Sequence, residues 1–409
     1  MSFHEYRINE LYSNADGTVQ FIELAVGNFN GEGFWAGHSI NVSQGASVHS
    51  FTFPANLPNQ TTANTKVLIA TQGYADLGLA QPDFTVPAGF LFTGSGTVDY
   101  AGVDSFAYAS LPTDGATSLS RSGNTPASPT NFAGASAALS LISGGSGDDV
   151  LSSRVGNDVI DGGGGSNTAV FSGPRLRYSV TQTATGYTVR DNGGSDGSDS
   201  LSHIQELRFS DTQQNLLIGA DAATISPAQL NSLTEIYIAY FNRVPEAGGL
   251  DYWINQLRGG MGLNAIGSSF YAAAVSFSSV TGYSSSMSDA DFITKIYQNV
   301  LGRSSPDAAG LLYWMNGLAD GSQTRGSLVN TILAAAHTYK GDPSFGAVAD
   351  LLDNKLAVGK YHAVSAAVDY LTPADAISHG VAIAAAVSAT DTAAAVSLIG
   401  LASLVPFTA

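Results

Sequence analysis

The chain has 409 residues, 16 basic and 33 acidic, for a formal charge of −17, with 46 glycines and no cysteine. At roughly 100–200 residues per domain the length provides for about two to four domains, each able to bury a core. The acidic balance argues against nucleic acid as a partner, and the missing cysteine excludes disulfides, thiolate metal centres and cysteine nucleophiles. Five lysines and eleven arginines are scattered, with no polybasic cluster to hold an anionic membrane. Met1-Ser2-Phe3-His4-Glu5-Tyr6-Arg7 lacks the basic and apolar regions of a Sec signal peptide. The longest weakly polar run, 393–405, falls short of the about 18–20 residues of a membrane span.

Residues 1–112 alternate apolar and polar positions between turn signals. Tyr6-Arg7-Ile8-Asn9-Glu10-Leu11-Tyr12 and Thr18-Val19-Gln20-Phe21-Ile22-Glu23-Leu24 flank Asn14-Ala15-Asp16-Gly17, which predicts a hairpin. Further strands are expected near 48–53, 66–71 and 89–93, punctuated by Pro54, Pro58, Pro82 and Pro87, which together make a β-sandwich. The Ser, Thr, Ala, Asn and Pro-rich stretch 113–140 reads as loop and linker.

Three nine-residue frames follow end to end: Gly144-Gly145-Ser146-Gly147-Asp148-Asp149-Val150-Leu151-Ser152, then 153–161, then 162–170. Position four is Gly147, Gly156 and Gly165; position six is Asp149, Asp158 and Asn167; position eight is Leu151, Ile160 and Ala169. Each frame predicts a turn and a short strand. Glycine permits the positive φ that bends a chain around an ion. Backbone carbonyls and an Asp supply the hard oxygens that suit Ca²⁺, while position eight points inward. This pattern resembles the RTX nonapeptide repeat, which implies a parallel β-roll holding Ca²⁺ between alternate turns. The residues carried over as metal-binding are Gly145, Gly147, Asp149, Gly156, Asp158, Gly163, Gly165 and Asn167. The match weakens at Ser153-Arg154, which replace the glycine pair, and at Asn167, which replaces Asp. Strands near 178–183, 187–190 and 204–209 extend the module through 141–220. Asp196 and Asp199 are either a second ion site or a solvated turn.

From Ser226 the periodicity becomes helical, with an internal repeat. Tyr237, Arg243, Pro245, Gly249, Leu250, Tyr252, Trp253 and Leu257 recur as Tyr297, Arg303, Pro306, Gly310, Leu311, Tyr313, Trp314 and Leu318. The region 225–345 resembles the DUF4214 family, itself similar to phycobilisome linker domains. Ser305 is expected to cap a helix that begins at Pro306, with Asp307 facing its dipole. Residues 346–409 read as C-terminal helices, in which 391–409, ending Leu404-Val405-Pro406-Phe407-Thr408-Ala409, is a candidate type I secretion signal. In the N-terminal region, Ile8-Asn9-Glu10 and Phe21-Ile22-Glu23-Leu24 resemble the opening hairpin of lamin-tail domains, which implies a binding or attachment module.

The fold class expected is therefore multidomain, β then α: a sandwich, a short β-roll with a β extension, and an all-α domain with an internal repeat. Catalytic constellations are missing. The seven histidines show no zinc-binding spacing, and Gly193-Gly194-Ser195-Asp196-Gly197 fits a hydrolase elbow only formally. Glu10 and Glu23 are placed to face each other across the first hairpin like a glycosidase pair. These features imply a non-catalytic, calcium-binding extracellular or bacterial cell-surface protein exported by type I machinery. An S-layer-like lattice, filament or adhesin is the leading class, with self-assembly or neighbouring surface proteins as partners. A surface polysaccharide module using Trp35, Trp253 or Trp314 is the alternative, and a secreted hydrolase the third.

Overall fold

Alternation in the first forty residues produces the expected hairpin, Arg7–Ser13 against Gln20–Ala25, with Glu10 opposite Glu23 and Tyr12 opposite Phe21. The computed structural model describes residues 4–404, so Met1-Ser2-Phe3 and the 405–409 end of the candidate export signal lie outside it. The chain divides into two units, one of residues 1–165, 188–191 and 195–203, the other of residues 166–187, 192–194 and 204–409.

In the first unit the hairpin sits at the centre of a six-stranded sheet, ordered Gly123–Pro126, Thr117–Ser120, Arg7–Ser13, Gln20–Ala25, Lys66–Thr71, Phe84–Val86. A four-stranded sheet of Ser47–Thr52, Ser39–Gln44, Gly96–Tyr100 and Asp104–Tyr108 packs on it, with Ile8, Leu24, Ile40, Val42, Val98 and Tyr100 in one core. The sandwich was legible as alternation. Two of its strands, however, come from 113–140, which is not the expected linker. Ala127 and Leu139 from the same stretch, with Leu141 just after it, pack on the second face of the large sheet against Tyr12, Phe21 and Tyr74. Small polar residues hid these two four-residue strands, of which Gly123–Pro126 forms the edge of the sheet. No strand forms over 89–93; Phe90 and Leu91 are buried from irregular backbone.

Trp35 is wholly buried and donates its indole N–H to the Glu32 carbonyl at 2.8 Å. Tyr6, Phe53, Phe84 and Tyr100 surround it at ring-centre distances of 5.1, 4.8, 5.8 and 5.2 Å. That burial removes Trp35 from the sugar-binding candidates.

The second unit opens with a sheet of Thr168–Val170, Glu206–Arg208, Gln213–Asn215 and Val368–Asp369. With the two-residue strand Val368–Asp369 excepted, the chain from residue 218 is helical. Two three-helix sets carry the sequence repeat: Pro227–Phe241, Ala247–Arg258 and Leu263–Ser276, then Asp289–Leu301, Ala308–Ala319 and Arg325–His337. Ile236, Tyr237, Leu250, Phe270, Ile296 and Ile332 lie in their common core. The first helix starts at a Ser226–Gln229 capping box and stops at Asn242, whose φ of 48° is left-handed. Gly302 stops the equivalent helix at φ 62°. Asp307, not Ser305, caps Ala308–Ala319, its side chain accepting from the Gly310 amide at 2.8 Å. The proline lies one place before the cap rather than inside the helix.

His337 is held by two carboxylates, Nε2 at 2.6 Å from Glu235 Oε1 and Nδ1 at 3.0 Å from Asp353 Oδ1. The hydrogen bond that His337 donates to Glu235, with the charges of Glu235 and Asp353, raises its pKa from the usual 6.5 despite partial burial. The folded pKa exceeds the unfolded one, so this stabilisation is complete below about pH 6.5 and is lost as pH rises through the folded value. Urea midpoints should show that loss above pH 6.5 in the wild type, and His337→Gln should flatten it. Trp35→Ala should cost about 3–5 kcal/mol in the same measurement.

Candidate functional site

Three-residue strands begin at Leu141, Val150, Val159 and Thr168, a spacing of nine residues throughout. The period read from glycine and aspartate is therefore the period of the backbone. It also starts one frame earlier than the motif, since Leu141–Ser143 has no glycine turn before it. Leu141, Ile142 and Ser143 pair in parallel with Val159, Ile160 and Asp161, placing like frame positions side by side. The frames alternate between two sides, so each turn stacks on the next but one.

The first stack joins residues 144–149 to 162–165. A Cβ on Gly163 would lie 2.3 Å from the Gly145 carbonyl oxygen, and one on Gly165 would lie 2.4 Å from the Gly147 backbone. Gly163 and Gly165 also have φ of 70° and 85°. Only glycine fits there, on both counts. Gly145 and Gly147 do not have positive φ; their role is to admit the neighbouring turn. The Asp149 carboxylate turns back to accept the Gly145 amide at 2.6 Å. A Cβ on Gly144 would meet that carboxylate at 2.7 Å and the Gly162 oxygen at 2.4 Å.

The second stack joins residues 153–158 to 195–199, a pairing the sequence did not announce. Val159, Ile160 and Asp161 pair in parallel with Ser200, Leu201 and Ser202. This aligns Gly156-x-Asp158-x-Ile160 with Gly197-x-Asp199-x-Leu201, so residues 194–202 are a further frame, displaced by a long insertion. Gly156 has φ 98° and Gly197 φ 78°, and a Cβ on Gly197 would lie 2.4 Å from the Gly156 oxygen. The signal was present as Gly-x-Asp-x-Leu, obscured by the 23 residues from 171 to 193 that break the nine-residue phase.

This second stack gathers carboxylates. Asp158 is 2% exposed; its Oδ2 accepts the Arg154 amide at 2.6 Å, while its Oδ1 is buried with no hydrogen-bond partner. Asp199, 1% exposed, accepts the Asp158 amide at 2.9 Å and the Ser153 hydroxyl at 2.8 Å. Burial, then the charges of Asp158 and Asp196, push the Asp199 carboxyl up to about 7. Asp158 and Asp199, rather than Asp149 and Asp158, are thus the carboxylates brought together.

Asn167 is fully buried. Its amide donates to Gln205 Oε1 at 2.7 Å, and its carbonyl accepts the amides of Gln205 and Glu206. That backbone clamp joins the Thr168–Val170 strand to Glu206–Arg208, where Ala169 pairs with Leu207. Among the described residues no group of three or more His, Cys, Asp or Glu side chains is arranged to hold a metal. A cation here would be held mainly by turn carbonyls with one or two carboxylates. The partnerless buried oxygen of Asp158 beside Asp199 fits such a cation, because an unpaired carboxylate oxygen is costly to bury.

Glu10 and Glu23 do face each other, but Glu23 is spent on structure. Its Oε1 takes Lys66 Nζ at 2.9 Å and Asn9 Nδ2 at 2.5 Å, and its Oε2 takes the Thr130 amide at 2.7 Å. In the helical region Trp314 is nearly buried and Trp253 partly so, while Tyr252 and Tyr313 stand exposed beside them. Among the described residues no helix is long and apolar enough to cross a membrane.

Residues 268–338 match the family model for DUF4214, a domain of unknown function. The match runs from within Leu263–Ser276 through the whole second three-helix set. No curated protein matches the chain.

Gly197→Ala should cost about 1–3 kcal/mol, the usual range for a strained backbone site. Amide exchange should accelerate at 156–161 and 198–202. Gly31→Ala, at equally positive φ but with nothing within 4 Å, separates strain from the close approach; equal losses in both would refute the stacking argument.

Proposed function

We propose that this chain is a non-catalytic extracellular protein of the bacterial surface or matrix whose glycine turns bind Ca²⁺, and that ion binding completes its fold after export. The observation that carries the reading is the buried, partnerless Oδ1 of Asp158, set beside Asp199 between two in-register glycine turns. The nine-residue strand spacing supports the RTX likeness on which it rests. When bound, the ion supplies positive charge and open oxygen coordination. The chain's part is to hold Asp158 and Asp199 in place through the Arg154 amide and the Ser153 hydroxyl, and to exclude side chains from between the turns.

An ion that binds only the folded state stabilises it in proportion to the logarithm of its concentration, about 2.7 kcal/mol at a hundredfold excess over Kd. Calcium is abundant outside cells and scarce within, so export and folding are coupled. Zero cysteine and a charge of −17 agree with a chain that crosses loose and gains structure outside. The lamin-tail likeness adds a sandwich for attachment, and the helical repeats add a module for assembly with copies or neighbours. The 391–409 tail, whose described part holds the Ala393–Ile399 helix, is the proposed export signal.

Calcium should raise the melting temperature of the wild type, and Asp158→Ala with Asp199→Ala should abolish the rise. An unchanged calcium response in the double variant overturns the site. Electron microscopy with and without calcium tests the assembly: ordered arrays support it, and a calcium-loaded monomer refutes it.

A further inference from the structure

The two halves of the helical repeat build the same pocket from the same residues and leave it in two different states. In the first half, Arg243 is satisfied: Nη1 pairs with Glu246 Oε2 at 2.6 Å, and the guanidinium lies 5.1 Å from the Tyr237 ring centre. The packing there is so close that a Cβ on Gly249 would lie 2.4 Å from Glu246 Oε1 and 2.6 Å from the Tyr237 hydroxyl. Pro373, Ala376, Ile377 and Val381 of the Pro373–Ala385 helix wall the space, which measures about 380 Å³.

In the second half the space measures about 640 Å³, and Phe345 and Val348, at the start of the Gly346–Lys360 helix, line it in place of Pro373–Ala385. Asp307 stands where Glu246 does, one methylene shorter, and spends Oδ1 on the Gly310 amide. Arg303 is left with no ion pair or side-chain hydrogen bond among the described residues; its guanidinium rests 5.0 Å from the Phe345 ring centre, its N–H edge unspent. The Tyr297 hydroxyl accepts the Trp314 indole N–H at 2.8 Å and keeps its own proton to give. Tyr313, two-thirds exposed, and Tyr339, nearly half exposed, add aromatic rings to the lining.

We propose that this pocket binds an acidic saccharide through a uronic-acid unit. Arg303 takes the carboxylate in a charge-assisted pair. Asp307 accepts a ring hydroxyl through Oδ2, the Tyr297 hydroxyl donates to a ring or hydroxyl oxygen, and Tyr313 and Tyr339 cover the C–H faces of the sugar. The chemistry selects among anions. A phosphate gathers its charge and its one or two hydroxyls on a single small centre that cannot reach Arg303 and Asp307 apart, whereas a uronate separates one carboxylate from several hydroxyls, matching a cation and an acceptor in one pocket. The volume suits about one or two sugar rings. The inference stands apart from the calcium reading, because none of these residues belongs to the glycine turns.

The test is calorimetric titration of the full chain, in calcium, with digalacturonate, which is too short to gel, and with cellobiose and inorganic phosphate as comparisons. Digalacturonate should bind, about tenfold or more weaker to Arg303→Gln and to Tyr313→Ala, and unchanged to Tyr252→Ala, the exposed counterpart in the first half. Saturation-transfer NMR on the wild type should place sugar ring protons against aromatic side chains, a readout independent of any variant's folding. Absence of digalacturonate binding, equal binding by Arg303→Gln, equal binding of cellobiose, or preference for phosphate would each overturn the proposal.

Discussion

The close approach of backbone to backbone at the glycine turns is the constraint on which the 141–202 region depends. Gly163 on Gly145, Gly165 on Gly147 and Gly197 on Gly156 bring main chains to distances at which a single added carbon would collide. Once those contacts are made, the short strands fall into parallel register and Ile142, Ile160 and Leu201 line one row of the interior. Three-residue strands offer too few hydrogen bonds to set register by themselves. The turns do it instead, and glycine is the only residue that permits them.

The same approach has an electrostatic consequence. Stacking the turns draws Asp158 and Asp199 out of water together, and neither Arg154 nor any other nearby basic side chain neutralises them by a direct ion pair among the described residues. Two buried carboxylates side by side, the Asp199 one accepting the Asp158 amide, are an expensive arrangement unless a proton or a cation shares the space. The rise of the Asp199 pKa states that cost in one form; the partnerless oxygen of Asp158 states it in another.

The helical region solves a different problem by duplication. Tyr, Arg, Gly and Trp recur at matched positions because each half must end one helix, turn, and pack the next against an aromatic floor. Small changes then separate the copies: Glu246 reaches Arg243, whereas Asp307 caps its own helix and leaves Arg303 uncommitted. The two copies therefore share one scaffold and differ in whether its arginine is paired.

What the sequence determined by itself was periodicity: the alternation of the opening hairpin, the nine-residue step of the strands, and the helical repeat with its aromatic pairs. Those features are local, and side-chain spacing writes them directly into the chain. It did not determine partners across distance. That 113–140 supplies two sheet strands and part of a core, that 194–202 joins the stack as another frame, and that Trp35 is sealed within the sandwich were decided by tertiary packing. The physical reason is common to all three. Edge strands, glycine contacts and buried aromatics derive their meaning from what lies opposite, and only folding brings the opposite surface into place.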